Sequence, residues 1–450
     1  MKSLLYRFSP GFLRTIYTRI ESSPLGYRLA HGAFWSLSGA GISRGLTLIS
    51  SMVFARILGR QDFGKLGMIQ STVGMFGNFS GLGLGLTGTK FVAELRQTDP
   101  IRAGRIITLA GTIAAVTGLL SGVILFFLAP WMAAKTLAAP DLAGYLRIAS
   151  LLLLFGAITS AQSGALSGFE AFKTIARVNL FAGVVAFPIM ILAVWRWGLV
   201  GAVWGLVMSQ VINWGLNVWA LRSEAARWHV PIVFKSCFQE IRILGAFSLP
   251  AYLSSLLLGP ASWFCATILA QLPNGYEELG SFNAANQMRL IILFLPNGII
   301  GSALPVMTDL YSRGEHSSLK KLILTNLKLN SAITVTSAAL AISLAPHIMA
   351  AYGSRFVAAS GLLVILATVC VVDSVTNVFA YWLIGTNRIG THLAFLVFWA
   401  VTLIVSSSLL VPRVAGKGLA LAYLIAQLLY AVVLVSFYLV RFDRKSAAVT

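Results

Sequence analysis

Long apolar runs alternate with short polar or basic stretches along the whole chain, a pattern that predicts membrane-spanning helices rather than a soluble core. Twelve runs are near bilayer-spanning length: 33–55, 66–89, 106–129, 146–167, 174–195, 198–220, 243–270, 279–308, 322–345, 356–380, 391–411 and 418–440. The second and eighth exceed what a straight span needs, which predicts tilting or breaking there. The expected fold is therefore an all-α polytopic membrane protein.

The same pattern occurs twice. Gly32-Ala33-Phe34 recurs as Gly245-Ala246-Phe247, and Leu66-Gly67 as Leu279-Gly280 at the same offset. Leu128-Ala129-Pro130 returns as Leu344-Ala345-Pro346, and Gly168 and Thr174 as Gly385 and Thr391. Slowly drifting offsets are what loop insertions between two copies of one helical unit produce. The expected organisation is a basic N-terminal segment (1–32), a first six-helix lobe (33–221), a linker (222–242), a second six-helix lobe (243–440) and a C-terminal tail (441–450).

Composition agrees: 57% of residues are apolar, 11% are charged and the mean hydropathy is +0.83. The net charge of +20 would suggest nucleic acid in a soluble chain. Here it is explained by orientation. With the N-terminus cytoplasmic, 23 Lys and Arg fall on the inside and 9 outside, and Arg44 and Arg289 complete the 34. Both termini are thus expected in the cytoplasm, and the even number of spans per half makes the repeats parallel. Residues 4–20, with Arg7, Arg14 and Arg19 among apolar positions, read as a basic amphipathic segment on the inner leaflet and lack a cleavable leader's pattern.

Several apparent motifs carry no chemistry. Gly83-Leu84-Gly85-Leu86-Thr87-Gly88 fits a dinucleotide fingerprint but lies inside an apolar run, where it predicts close packing or a bend. Asn78-Phe79-Ser80 fits a glycosylation sequon inside a span. Cys237, Cys265 and Cys370 are scattered, and the five histidines have no ligand spacing, so neither a disulfide framework nor a metal site is expected. No nucleophile or acid–base pair emerges, so the chain reads as a non-enzyme.

Charges placed at membrane depth are more informative, because each needs a partner or a wet cavity. Arg44 lies mid-way along the first span, Arg289 a third of the way along the eighth, and Asp373 in the tenth. Two arginines against one acid leave an excess positive charge that an anionic ligand would balance, and guanidinium suits phosphate. The competing reading is an ion pair that holds helices together. Gln70 and Asn78 on the second span and Asn283, Asn286 and Gln287 on the eighth suit sugar hydroxyls or interhelical bonds equally.

The stretch ARILGRQDFGKLGMIQ (Ala55 to Gln70), the following GLGLGLTGTKFVAELR (Gly81 to Arg96) and the two six-helix halves resemble the polysaccharide-transport branch of the multidrug/oligosaccharidyl-lipid/polysaccharide (MOP) exporter superfamily, which includes the O-antigen flippases. The resemblance implies a bacterial inner-membrane flippase for an undecaprenyl-diphosphate-linked oligosaccharide, with two lobes rocking about a central cavity. It further implies that Arg44 and Arg289, on the first and eighth helices, contact the diphosphate. Asp373 would carry a coupling proton or sodium ion, or pair with an arginine. No cofactor is expected, function as a monomer is expected, and glycan polymerase or ligase proteins are candidate partners. Two alternatives stay open at this point: a cation-coupled multidrug antiporter of the same superfamily, and a non-transporting scaffold of a glycan-assembly complex.

Overall fold

The computed structural model describes residues 24–232, 234, 237–241 and 258–446. The basic segment around Arg7, Arg14 and Arg19, the repeat copy Gly245-Ala246-Phe247 and the start of the seventh span lie outside the described residues. No strand occurs among the described residues.

Among the described residues there are thirteen α-helices: α1 (Pro24–Gly81), α2 (Leu84–Leu95), α3 (Pro100–Trp131), α4 (Leu142–Ala149), α5 (Leu151–Gly168), α6 (Phe172–Arg227), α7 (Leu258–Ala270), α8 (Gly275–Ile292), α9 (Phe294–Ser312), α10 (His316–Ser343), α11 (Ala345–Tyr352), α12 (Ser360–Gly385) and α13 (Ile389–Ser446). By length and hydropathy, six stretches among the described residues can cross a bilayer, or eight if each of two bent pairs is one span.

Three of the six stretches fold back on themselves. In α1 the backbone leaves helical geometry at Gly59 (φ 74°, ψ 179°), a conformation that glycine alone adopts readily. Ser43 and Ser71 line one cavity, although a straight helix would hold them about 42 Å apart at 1.5 Å per residue. The two arms must therefore lie side by side. Gly198 breaks α6 in the same way (φ 55°, ψ −131°), and Val414-Ala415 break α13. Counting each arm, each bent pair and the short apolar α7 gives twelve membrane legs among the described residues, an all-α polytopic membrane protein.

The two long segments break where their residues dictate. Leu82 and Gly83, both left-handed, separate α1 from α2. The Pro296 ring excludes the carbonyl of residue 292, where α8 ends, and α9 departs at 44°. Pro346 acts likewise on residue 342, close to the end of α10, and α11 turns away by 69°. The Gly83–Gly88 stretch serves as both bend and packing surface. Gly85 and Gly88 lie against Gly164 of α5 so closely that no side chain fits between the helices.

Residues of α1 to α6 form one lobe and those of α7 to α13 the other. They meet where the second arm of α1 packs on α8, the elements carrying the repeated Leu-Gly pair. A Cβ on Gly64 would strike the Tyr276 carbonyl, and one on Gly280 would strike the Arg60 carbonyl. Gly67 lies against the Asn283 amide. Residue numbers rise together on both sides, so these equivalent helices run parallel.

Candidate functional site

Between the lobes lies a cavity of about 530 Å³, within the range of small-molecule sites. Both arms of α1 and α6 supply one side, and α7, α8 and α13 the other. Ser43, Thr47 and Ser50 of α1 face it at helical spacing, as do Asn283, Asn286 and Gln287 of α8 and Ser209 and Asn213 of α6. Gln70, Ser71, Asn179 and Tyr423 complete most of its polar surface. Among the described residues, no Asp, Glu, Lys, Arg or His lines it.

The structure brings four of the expected sugar-contact residues, Gln70, Asn283, Asn286 and Gln287, to this one cavity. Asn78 is placed elsewhere, in a shallow surface groove with Gly81, Gly85 and Ser160, its amide against Gly259 of α7. Sequence reasoning missed Asn179, Ser209 and Asn213. The signal was present in the sixth span as Ser209, Asn213 and Asn217, spaced four apart. Asn217 donates from Nδ2 to Asn213 Oδ1 at 2.7 Å, which orients the Asn213 amide.

The intramembrane charges stand off this wall. Arg289 donates from Nε (3.1 Å) and Nη2 (2.8 Å) to Asp373 Oδ2, and its guanidinium lies 5.5 Å from the centre of the Tyr423 ring. Tyr423 lines the cavity, whereas Arg289 and Asp373 are not among its lining residues. Asp373 is buried, with 7% of its side chain exposed, so the pair is a neutral unit within the second lobe. Arg44 is the excess charge. It is exposed, has no carboxylate partner among the described residues, and sits 5.6 Å from the centre of the Phe294 ring of α9, next to Ser43 at the edge of the cavity.

One end of the lobe seam, marked by the Gly59 turn, is stitched by polar contacts. Arg60 reaches Glu277 at 3.5 Å and Glu278 at 3.3 Å and donates from Nε to Ser281 Oγ at 3.0 Å. Arg56 donates to the Ala351 carbonyl at 2.7 Å, Tyr276 to the Leu137 carbonyl at 2.7 Å, and Gln271 to the Thr136 carbonyl at 2.7 Å. All of these cross between lobes. At the opposite end, Arg96 with Glu170 and Arg313 with Asp309 each stay within one lobe, and Arg102 pairs with Glu240 of the linker.

Two helical lobes about a polar cavity are the fold also seen in solved transporters of the MOP superfamily. The chain is similar to an inward-facing multidrug resistance MATE family transporter of that superfamily, with a TM-score of 0.73 and 16% identity over 92% of this chain and 98% of that one. A MOP superfamily transporter from Pyrococcus furiosus matches with a TM-score of 0.66 and 15% identity, over 93% and 95% of the two chains. The chain belongs to the polysaccharide biosynthesis protein family, whose profile matches residues 29–311, more than half of its length. It is also similar to the EPS I polysaccharide export inner membrane protein EpsE of Ralstonia nicotianae, 26% identical over 60% of this chain and 61% of the relative. The teichuronic acid biosynthesis protein TuaB of Bacillus subtilis is 26% identical over 75% of this chain and 68% of its own. The chain thus spans about three fifths of the length of its EpsE relatives.

Proposed function

We propose that this protein is a flippase that carries an undecaprenyl-diphosphate-linked oligosaccharide, a repeat unit of O-antigen, capsule or exopolysaccharide, across the bacterial inner membrane by alternating access. The observation that carries this reading is the inter-lobe cavity, whose wall of amides and hydroxyls suits a glycan while the surrounding spans remain apolar. A drug cation would find no carboxylate among the described residues of that wall, which favours the glycan over the antiporter reading.

In this mechanism the glycan enters the cavity and the polyprenyl tail stays in lipid beside α1 and α9. The diphosphate then lies at the cavity edge against Arg44, whose guanidinium is free to form paired hydrogen bonds to phosphate. Arg289 would join only by exchanging Asp373 for the diphosphate, and coupling to a proton or sodium gradient would act on the Asp373 thereby released. The Gly59 end faces the periplasm, both termini face the cytoplasm, and one chain suffices. Opening toward the periplasm requires breaking the Arg60, Arg56, Tyr276 and Gln271 contacts together, after which the opposite end closes.

The test is transport of a fluorescent polyprenyl-diphosphate oligosaccharide in proteoliposomes, with Arg44→Ala compared to the unmodified protein. Flipping that drops by an order of magnitude or more in Arg44→Ala supports the reading. Undiminished flipping removes the diphosphate from Arg44, and no flipping of several lipid-linked glycans by the unmodified protein rejects the flippase itself.

A further inference from the structure

The basic character of the chain stops at the cavity. Lysines and arginines number 34 in the sequence, yet no Asp, Glu, Lys, Arg or His is among the described residues of the cavity wall. Two nearby arginines are committed: Arg289 to Asp373, with its guanidinium against the Tyr423 ring, and Arg60 to Glu277 and Glu278 at the seam. Arg44 lies at the edge, where the proposed function places the diphosphate.

An unpaired charge moved into such a space loses hydration that nothing returns, whereas a hydroxyl loses little if an amide meets it. Asn and Gln carry both donors and acceptors, as a hydroxyl does. Asn179 and Asn213 on one lobe face Asn286 and Gln287 on the other, so a ring held between them can be hydrogen-bonded from both sides. Asn213 has its Oδ1 taken by Asn217, which leaves its NH2 to donate. On the opposite wall the Asn283 Nδ2, buried against Gly67, has no acceptor among the described residues.

We infer that the cavity selects uncharged sugars: the glycan segment it holds is built of neutral, hydroxyl-rich residues, and uronic acids or free amino sugars are discriminated against because the described residues of the wall itself offer no countercharge. The inference rests on the flippase reading for the identity of the ligand, but the selectivity it describes is a binding property and is measured separately.

The experiment compares two farnesyl-diphosphate-linked trisaccharides, identical except that one hexose is replaced by a hexuronic acid, binding to the full-length protein in detergent. The neutral compound is expected to bind at least about tenfold more tightly. Asn286→Lys and Ser209→Lys, on opposite walls, are each expected to shift the ratio toward the acidic compound by about tenfold, so one misfolded variant does not end the test. Equal affinities, a preference for the acidic compound, or binding of neither overturns the inference. Flipping of the same pair in proteoliposomes is read independently: a retained neutral preference without flipping rejects the flippase reading and leaves the selectivity standing.

Discussion

The Gly59 end of the lobe seam and the cavity wall below it are made from the same helices and have opposite chemistry. At the seam, Arg60 faces Glu277, Glu278 and Ser281 across the lobes. Within two turns along α8, the side chains facing the first lobe are Asn283, Asn286 and Gln287, all uncharged. Charges that hold a conformation are thus kept apart from the space that receives a ligand, so a ligand can enter without competing for the bonds that keep the lobes closed. Salt bridges are suited to this task because they are directional, and at a partly exposed seam they are weak enough to break in each cycle.

The sharpest way to break this contrast is to release a charge beneath the neutral wall. Asp373→Ala leaves Arg289 unpaired in the second lobe, and removing one partner of a buried pair costs about 3–5 kcal/mol. Denaturant unfolding in detergent should show a loss of that order. The double variant Arg289→Met, Asp373→Leu should recover most of it, because an apolar pair of similar volume needs no countercharge. If the single variant unfolds like the unmodified protein, the pair is not what neutralises this region.

A smaller effect is expected where the seam closes without charge. Gly280→Leu places a side chain on the Arg60 carbonyl, so the parallel α1 and α8 contact must separate. Overpacking of this kind costs about 1–3 kcal/mol, and here the cost falls on the closed state. A Ser50→Cys reporter in the cavity should then react faster with an impermeant thiol reagent applied from the Gly59 side. The native cysteines Cys237, Cys265 and Cys370 are buried, which keeps the background low. Unchanged labelling would show that the glycine contact does not hold that end shut.

The spans and their breaks were legible in the sequence because hydropathy and proline act locally: Pro296 ends α8 by excluding a carbonyl four residues back. The cavity was half legible. Asn283, Asn286 and Gln287 announce a face by their spacing, and Leu66-Gly67 and Leu279-Gly280 announce equivalent helices. That these two helices pack on one another follows only once the lobes are assembled. Asn179 and Asn213 were hidden because a polar residue in a span reads equally as interhelical glue. The seam was not legible at all: Arg60 and Glu278 are 218 residues apart, and each taken alone is an ordinary loop charge.

Arg60→Ala tests that long-range pairing directly. With Arg60 partly exposed, losing its bonds to Glu277, Glu278 and Ser281 should cost about 1 kcal/mol, too little to unfold the protein. The loss falls on the closed seam, so Ser50→Cys labelling from the Gly59 side should rise severalfold. Glu277→Ala alone should do less, since Glu278 remains in reach, and Glu277→Ala with Glu278→Ala should match Arg60→Ala. A pair of acids acting independently of Arg60 would instead add to its effect.

The least effect is expected at Lys65, and it is the control that gives the others meaning. Lys65 bonds Asp141 at 2.5 Å, a closer pair than any Arg60 makes, and it lies at the same end of the molecule. Both partners belong to the first lobe, however, and 52% of the Asp141 side chain is exposed. Rigid motion of one lobe against the other leaves such a pair intact, so it can add nothing to the preference for the closed seam. Lys65→Ala should cost no more than about 0.5 kcal/mol and leave Ser50→Cys labelling unchanged. If it opened the Gly59 end as far as Arg60→Ala does, the determining factor would be local charge at that end rather than bonds that cross the lobes.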